Sequence, residues 1–196
     1  MLIGFGDDFI KVAKKRSLGL TPWQKIAGQV VVAVGFTLWC YFHPQIGSKI
    51  LVPFINVEWD LGVWYIPLMS LTVIFMVNSA NLQDGLDGLL SSVASIGSAA
   101  WGVMALLFIA LVVLEPDVAL ITAALAGGCL GFLPYNLNPA KIFMGDTGSM
   151  FIGGATVGMA MVLRQPLMLL LIAFTMVGSS LSVMMQVTYF KLTHGK

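Results

Sequence analysis

Residues 63–114, VWYIPLMSLTVIFMVNSANLQDGLDGLLSSVASIGSAAWGVMALLFIALVVL, hold two apolar runs, 63–80 and 88–114, joined by a short polar stretch of Asn, Asp and Gly. Crossing about 30 Å of hydrocarbon takes roughly 20 helical residues, so this segment reads as two membrane spans that meet at one face of a bilayer. Further apolar runs at 26–42, 118–135, 149–163 and 167–190 bring the expected spans to six. The 149–163 run is short and carries Gly153, Gly154 and Gly158, although small residues let membrane helices approach closely. The chain is 58% hydrophobic and 10% charged, against about 25% charged in soluble domains. The expected fold class is therefore an all-α polytopic integral membrane protein, with six transmembrane helices and the end of a preceding one in a single membrane domain, 1–196.

Orientation follows from the basic residues, because Lys and Arg are retained on the cytoplasmic side. Alternating six spans puts Lys11, Lys14, Lys15, Arg16, Lys25, Lys141, Lys191 and Lys196 on one side and Lys49 and Arg164 on the other. The expected cytoplasmic loops are 4–25, 81–88, 136–148 and 191–196. Asp7, Asp8, Asp84, Asp87 and Asp146 then all fall on that side, whereas Glu58, Asp60, Glu115 and Asp117 fall in the outer connections. The outer segment 43–62, with Pro44, Gly47, Pro53 and Gly62, reads as a small hairpin or loop. A net charge of +1 with no dense basic run excludes a nucleic-acid groove. Cys40 and Cys129 stand alone in apolar stretches and read as buried hydrophobes.

Each polar segment adjoins a span. Five aspartates at mid-membrane would oppose insertion by roughly 15 kcal/mol, at about 3 kcal/mol each, so they are expected at the water interface or in a polar cleft. In 78–89, NSANLQDGLDGL, the residues Asn78, Asn81, Asp84 and Asp87 recur every third position and share neighbouring helix faces. Gly85 and Gly88 would let a phosphate approach the backbone. For one such loop alone, a helix cap and turn explains the pattern as well. Asp146 precedes the span beginning near Ser149, where it reads either as an N-cap or as a cation ligand beside an anion-favouring helix start. Oxygen-rich, sulfur-free and histidine-poor ligation suits Mg²⁺ or Mn²⁺ rather than zinc. His43 is expected outside and His194 in the last stub, so neither reads as a base.

Four motifs, GDDFIKVAKKRSLGLTPWQK, NSANLQDGLDGL, NPAKIFMGDTGSM and QVTYFKLT, together resemble the phospho-N-acetylmuramoyl-pentapeptide transferase family, within the polyprenyl-phosphate N-acetylhexosamine-1-phosphate transferase superfamily. The resemblance runs over nearly the whole chain. It implies ten spans, of which this chain would hold the end of the third to the ninth, as a fragment of a longer transferase in the bacterial inner membrane. It implies transfer of phospho-N-acetylmuramoyl-pentapeptide from its UDP derivative to undecaprenyl phosphate, a Mg²⁺-dependent reaction on the cytoplasmic face, and a homodimer. By resemblance, Asp7 and Asp8 act on the lipid phosphate, and Asp146 and Asn81 bind Mg²⁺. Asn78, Asn81, Asp84 and Asp87 would form the nucleotide-sugar face, Asn136 and Phe143 uridine contacts, and Gln186 a cleft-lining contact. The family's first-loop lysine and last-loop histidine stretch are not recognised in this sequence. The rival readings are a sister transferase that loads N-acetylglucosamine phosphate, an inactive fragment, and a proton-coupled transporter, whose acids should lie deeper and accompany internal repeats.

Overall fold

The computed structural model describes residues 1–15, 18–55, 57–110 and 117–193, with side chains undescribed at 109 and 110. Arg16, Glu115, His194 and Lys196, all used in the charge reading, lie outside the described residues. The helices are α1 (Leu2–Ala13), α2 (Pro22–Phe42), α3 (Tyr65–Gln83), α4 (Leu89–Ala110), α5 (Asp117–Asn136), α6 (Gly145–Val162), α7 (Leu169–Ile172) and α8 (Phe174–Leu192). Four of them, α2, α3 with the 3-10 turn before it, α4 and α5, are each long and apolar enough to span a bilayer. The segment 167–190, expected as one span, is instead broken at Ala173. Pro166–Ile172 and Phe174–Leu192 meet at 84° and together would make a fifth span. The short α6, 18 residues long, covers the expected 149–163 position but is not among the helices long and apolar enough to span.

Local chemistry explains the start of α2. Thr21 and Gln24 form a reciprocal capping box at α2: Gln24 N–H donates to Thr21 Oγ1 at 3.4 Å and Thr21 N–H to Gln24 Oε1 at 2.9 Å. Pro22 takes the first helical position, where its missing N–H leaves no bond unmade. Residues 43–62 form the hairpin that the turn residues suggested, with β1 (Lys49–Val52) antiparallel to β2 (Val57–Asp60).

Packing places α3 against both α2 and α6, α4 along α5, and α1 across the first turn of α6. Gly153 marks a close crossing, because a Cβ there would lie 2.8 Å from both the Met76 carbonyl oxygen and Val77 Cα on α3. The buried core runs through Tyr65, Met76, Trp101, Val157 and Met161. Ser79, Ser91, Ser95 and Thr156 are buried among the helices, the small polar residues that suit close membrane packing. Large side chains such as Val31, Leu106, Leu120 and Phe190 face outward, as lipid contact requires.

The ends of the bundle differ in chemistry. At one end the hairpin is tied to the α6–α7 connection: Leu51 N–H donates to the Arg164 carbonyl at 2.8 Å, and the Arg164 guanidinium bonds Glu58 at 2.8 Å. The five motif aspartates lie at the other end, where the α1–α2, α3–α4 and α5–α6 connections meet.

Candidate functional site

α1 presents Asp7, Asp8 and Lys11 within one helical turn. Adjacent helical positions stand about 100° apart, so the two carboxylates serve different neighbours. Asp7 turns inward and is fully buried. It accepts from the Leu20 N–H at 2.6 Å, which fastens the returning chain before α2. Gly19 is required there, since a Cβ would come 2.6 Å from Asp7 Cγ and 2.9 Å from the Asp7 carbonyl oxygen.

Asp8 turns to α6. Thr147 donates to Asp8 Oδ2 from its N–H at 2.8 Å and its hydroxyl at 2.7 Å, and the Asp146 N–H lies 3.4 Å from Oδ1. The N-cap residue of α6, Met144, offers no side-chain acceptor. Asp8 supplies one from another helix, satisfying orphan N–H groups and setting negative charge at the positive helix end. Gly4 permits the approach: a Cβ there would lie 2.8 Å from Thr147 Cα. Gly145, at φ +67°, turns the chain into α6 directly under the Asp8 carboxylate.

Asp146 completes the cluster. One oxygen from each of Asp7, Asp8 and Asp146 falls within 4.8 Å of the others. Two lysines hold the acids together. Lys11 Nζ lies 2.6 Å from Asp7, 3.4 Å from Asp8 and 3.7 Å from Asp146, and Lys25 Nζ lies 3.1 Å from Asp7 and 2.5 Å from Asp146. Burial pushes the Asp7 carboxyl up, yet hydrogen bonds from Lys11, the Leu20 N–H and Lys25 outweigh it and hold the group well below the carboxylate range. Asp8 is likewise raised by burial but held low overall by Thr147 and Lys11. Asp7 and Asp8 are thus built to stay ionised at neutral pH, and Lys11 and Lys25 are functional candidates that the sequence reading used only as topology markers. A recognisable signal was present for Lys11, three and four residues after the acid pair on one helix face.

Asn81 donates through Nδ2 to Asp146 at 3.0 Å and to Ser149 Oγ at 2.9 Å. Its amide nitrogen therefore faces the carboxylate that it was expected to assist in metal binding. Asp84 is half-buried, and burial followed by the charges of Asp146 and Asp8 pushes its carboxyl up to about 6. Asp87 accepts from Asn138 Nδ2 at 3.2 Å and the Ala140 N–H at 3.0 Å. Buried Asn136 is engaged inside the chain: its Oδ1 accepts from the Gly88 N–H at 3.2 Å and Ser91 at 2.7 Å, and its Nδ2 donates to the Ile142 carbonyl at 3.1 Å. Asn78 pairs with Gln29, linking α3 to α2. Phe143 is 75% exposed and borders an apolar groove of about 590 Å³ between α5 and α6. Gln186 is exposed on α8 and bonds Ser182 at 3.0 Å. It lies just beyond Val183 and Met184, which with Asn78 and Asn81 line a second groove, of about 330 Å³, between α3 and α8.

The donor set fits a hard divalent cation. Three carboxylate oxygens are available, and the 4.8 Å limit on their separation is close to the roughly 4.2 Å that separates oxygens across an ion bound at about 2.1 Å.

Compared with known proteins, residues 1–164 match the family model described as glycosyl transferase family 4. The chain is 44% identical over 195 residues to a phospho-N-acetylmuramoyl-pentapeptide-transferase of Caldicellulosiruptor bescii, covering 98% of this chain and 58% of that protein. It is 44% identical over 194 residues to the protein so named from Listeria monocytogenes and 40% identical over 203 residues to that from Desulfitobacterium hafniense. The chain spans 58–59% of the length of these relatives.

Proposed function

The chain belongs to glycosyl transferase family 4, and from that premise we propose that it carries the reaction centre for moving phospho-N-acetylmuramoyl-pentapeptide from its UDP derivative onto undecaprenyl phosphate. The observation that carries this reading is the meeting of Asp7, Asp8 and Asp146 with Lys11 and Lys25 at one end of a bundle of apolar helices. A charged site at that position serves a reaction between a water-soluble phosphosugar and a membrane-bound phosphate. The relatives bear the name of that reaction.

In the proposed step a lipid phosphate oxygen attacks the sugar-linked phosphorus, the bond from that phosphorus to the bridging oxygen of the diphosphate breaks, and UMP leaves. Such transfers depend mostly on positioning and on neutralising charge. Asp146, with Asp7 and Asp8, would hold Mg²⁺, which when bound supplies charge neutralisation at the diphosphate. Asn81 orients the Asp146 carboxylate, and Lys11 keeps Asp7 and Asp8 together. Asp87 and Asn136 fix the 136–142 connection that leads to Phe143, so their contribution to the nucleotide pocket is to shape it. Asp8 is engaged by the first turn of α6 and is poorly placed to accept a proton. None is needed, because a phosphate monoester with a second pKa near 6 is largely ionised at neutral pH. The α3–α8 groove is lined by Asn81 and also by Phe75, Leu82, Val183 and Met184, apolar contacts that a prenyl chain would use. The site is read as cytoplasmic in a bacterial inner membrane, on the basic-residue asymmetry.

The test supplies membranes containing this chain, or the longer protein, with radiolabelled UDP-N-acetylmuramoyl-pentapeptide or UDP-N-acetylglucosamine, plus undecaprenyl phosphate and Mg²⁺. Label in lipid from the muramoyl donor, lost in Asp146→Asn, is the expected result. Label from UDP-N-acetylglucosamine alone would reject the substrate assignment in favour of the sister reaction.

A further inference from the structure

Lys25 occupies an unfavourable place for a cation. It is the fourth residue of α2, near the helix end whose dipole repels positive charge. Its ammonium nevertheless reaches 2.5 Å from Asp146 and 3.1 Å from Asp7, across 121 residues of sequence in the first case. The acids, not the helix, hold it there. Lys11, by contrast, sits on α1 itself and makes its shortest contact, 2.6 Å, with Asp7.

Charge balance then sets a limit. Three carboxylates with two ammonium groups leave one net negative charge. Adding a divalent ion with both lysines in place would give a net positive site, with two cations crowded onto the same Asp146 oxygen. Removing one ammonium restores neutrality.

We propose that Lys25 is a displaceable stand-in cation: Asp146 exchanges the Lys25 ammonium for the divalent ion, and the freed lysine turns to an anionic phosphate of the donor. This deepens the proposed function and rests on its metal reading. Lys11 stays on Asp7 and Asp8 throughout, and the Leu20 N–H keeps Asp7 in place when Lys25 leaves. The same side chain thus keeps the carboxylates from repelling one another in the resting protein and becomes a phosphate contact once the metal arrives. Order of binding follows: the metal, or the metal with its diphosphate, releases the lysine that grips the diphosphate.

Lysine reactivity reads this directly. The chain in detergent micelles is pulsed with an amine-acetylating reagent in EDTA or in Mn²⁺, and each lysine is quantified by mass spectrometry. Lys14 and Lys15, both exposed, serve as internal references. Mn²⁺ is expected to raise Lys25 acetylation about tenfold, the equivalent of about 1.4 kcal/mol of lost pairing, and to change Lys11 far less. Mn²⁺ binding is followed in parallel by electron paramagnetic resonance, where Lys25→Gln should bind the ion more tightly than the parent. Binding with unchanged Lys25 labelling overturns the exchange and leaves the metal reading standing. No Mn²⁺ binding by parent or variant overturns both.

Discussion

Asp7 and Asp8 are neighbours in sequence but answer to different parts of the molecule, and substitutions should separate them. Asp8 is a helix cap delivered from outside the helix, so Asp8→Ala is expected to lower stability by about 1–2 kcal/mol as well as activity. Thermal unfolding in detergent checks this, and loss of transfer with no change in stability would argue for a purely chemical role. Asp84 gives a pH signature. An acid that titrates near 6 when folded, against an ordinary 3.8, contributes stability that is complete below about pH 3.8 and is lost as pH rises through about 6. Asp84→Asn keeps the neutral form at every pH. It should unfold at a higher temperature than the parent at pH 8, with the gap closing toward pH 4, and a gap independent of pH would remove the assignment. The acids were legible from sequence because their cost in lipid forces them to an interface and the span count sorted them to one face. The lysines were not, since a basic residue beside a span already has a sufficient explanation in topology. Nor was the internal engagement of Asn136, which depends on α4 and α5 lying side by side.

Close crossings decide which helices can share the polar end. Gly153→Ala would drive a methyl group into the α3 backbone at Met76 and Val77 and is expected to destabilise the bundle by about 1–3 kcal/mol. Gly127→Ala on α5 meets no atom within 4 Å and should be neutral or stabilising by up to about 1 kcal/mol. Parallel denaturation of the two variants distinguishes packing from helix propensity, and equal behaviour would refute the close-crossing argument. The outer hairpin was readable from a local signal, the turn residues in 43–62. The break at Ala173 was not, because the run LLLIAFTMVG contains no proline or interior glycine at that point to mark it. Apolar content alone sees 167–190 as one span. Only the packing of α7 against α4 and of α8 against α3 gives the two halves different directions.

At the scale of the whole molecule, the basic and acidic connections predict a sidedness that can be measured without activity. Lys141→Cys and Glu58→Cys place single exposed thiols at opposite ends, while native Cys40 and Cys129 are buried. A membrane-impermeant maleimide added to intact spheroplasts should label position 58 and spare position 141, and the reverse is expected in inverted vesicles. Labelling of both from one side would undo the topology on which the proposed cytoplasmic placement of the site depends. The Asp8–Thr147 bond joins residues 139 positions apart, and this has a bearing on biogenesis. At about 5–20 residues per second, the ribosome needs roughly 7 to 28 s after making Asp8 before Thr147 exists to receive it. For that interval the insertion machinery must shelter an acid whose helix partner has not yet been made. The junction between α1 and α6 therefore closes late, only once the start of α6 has been synthesised.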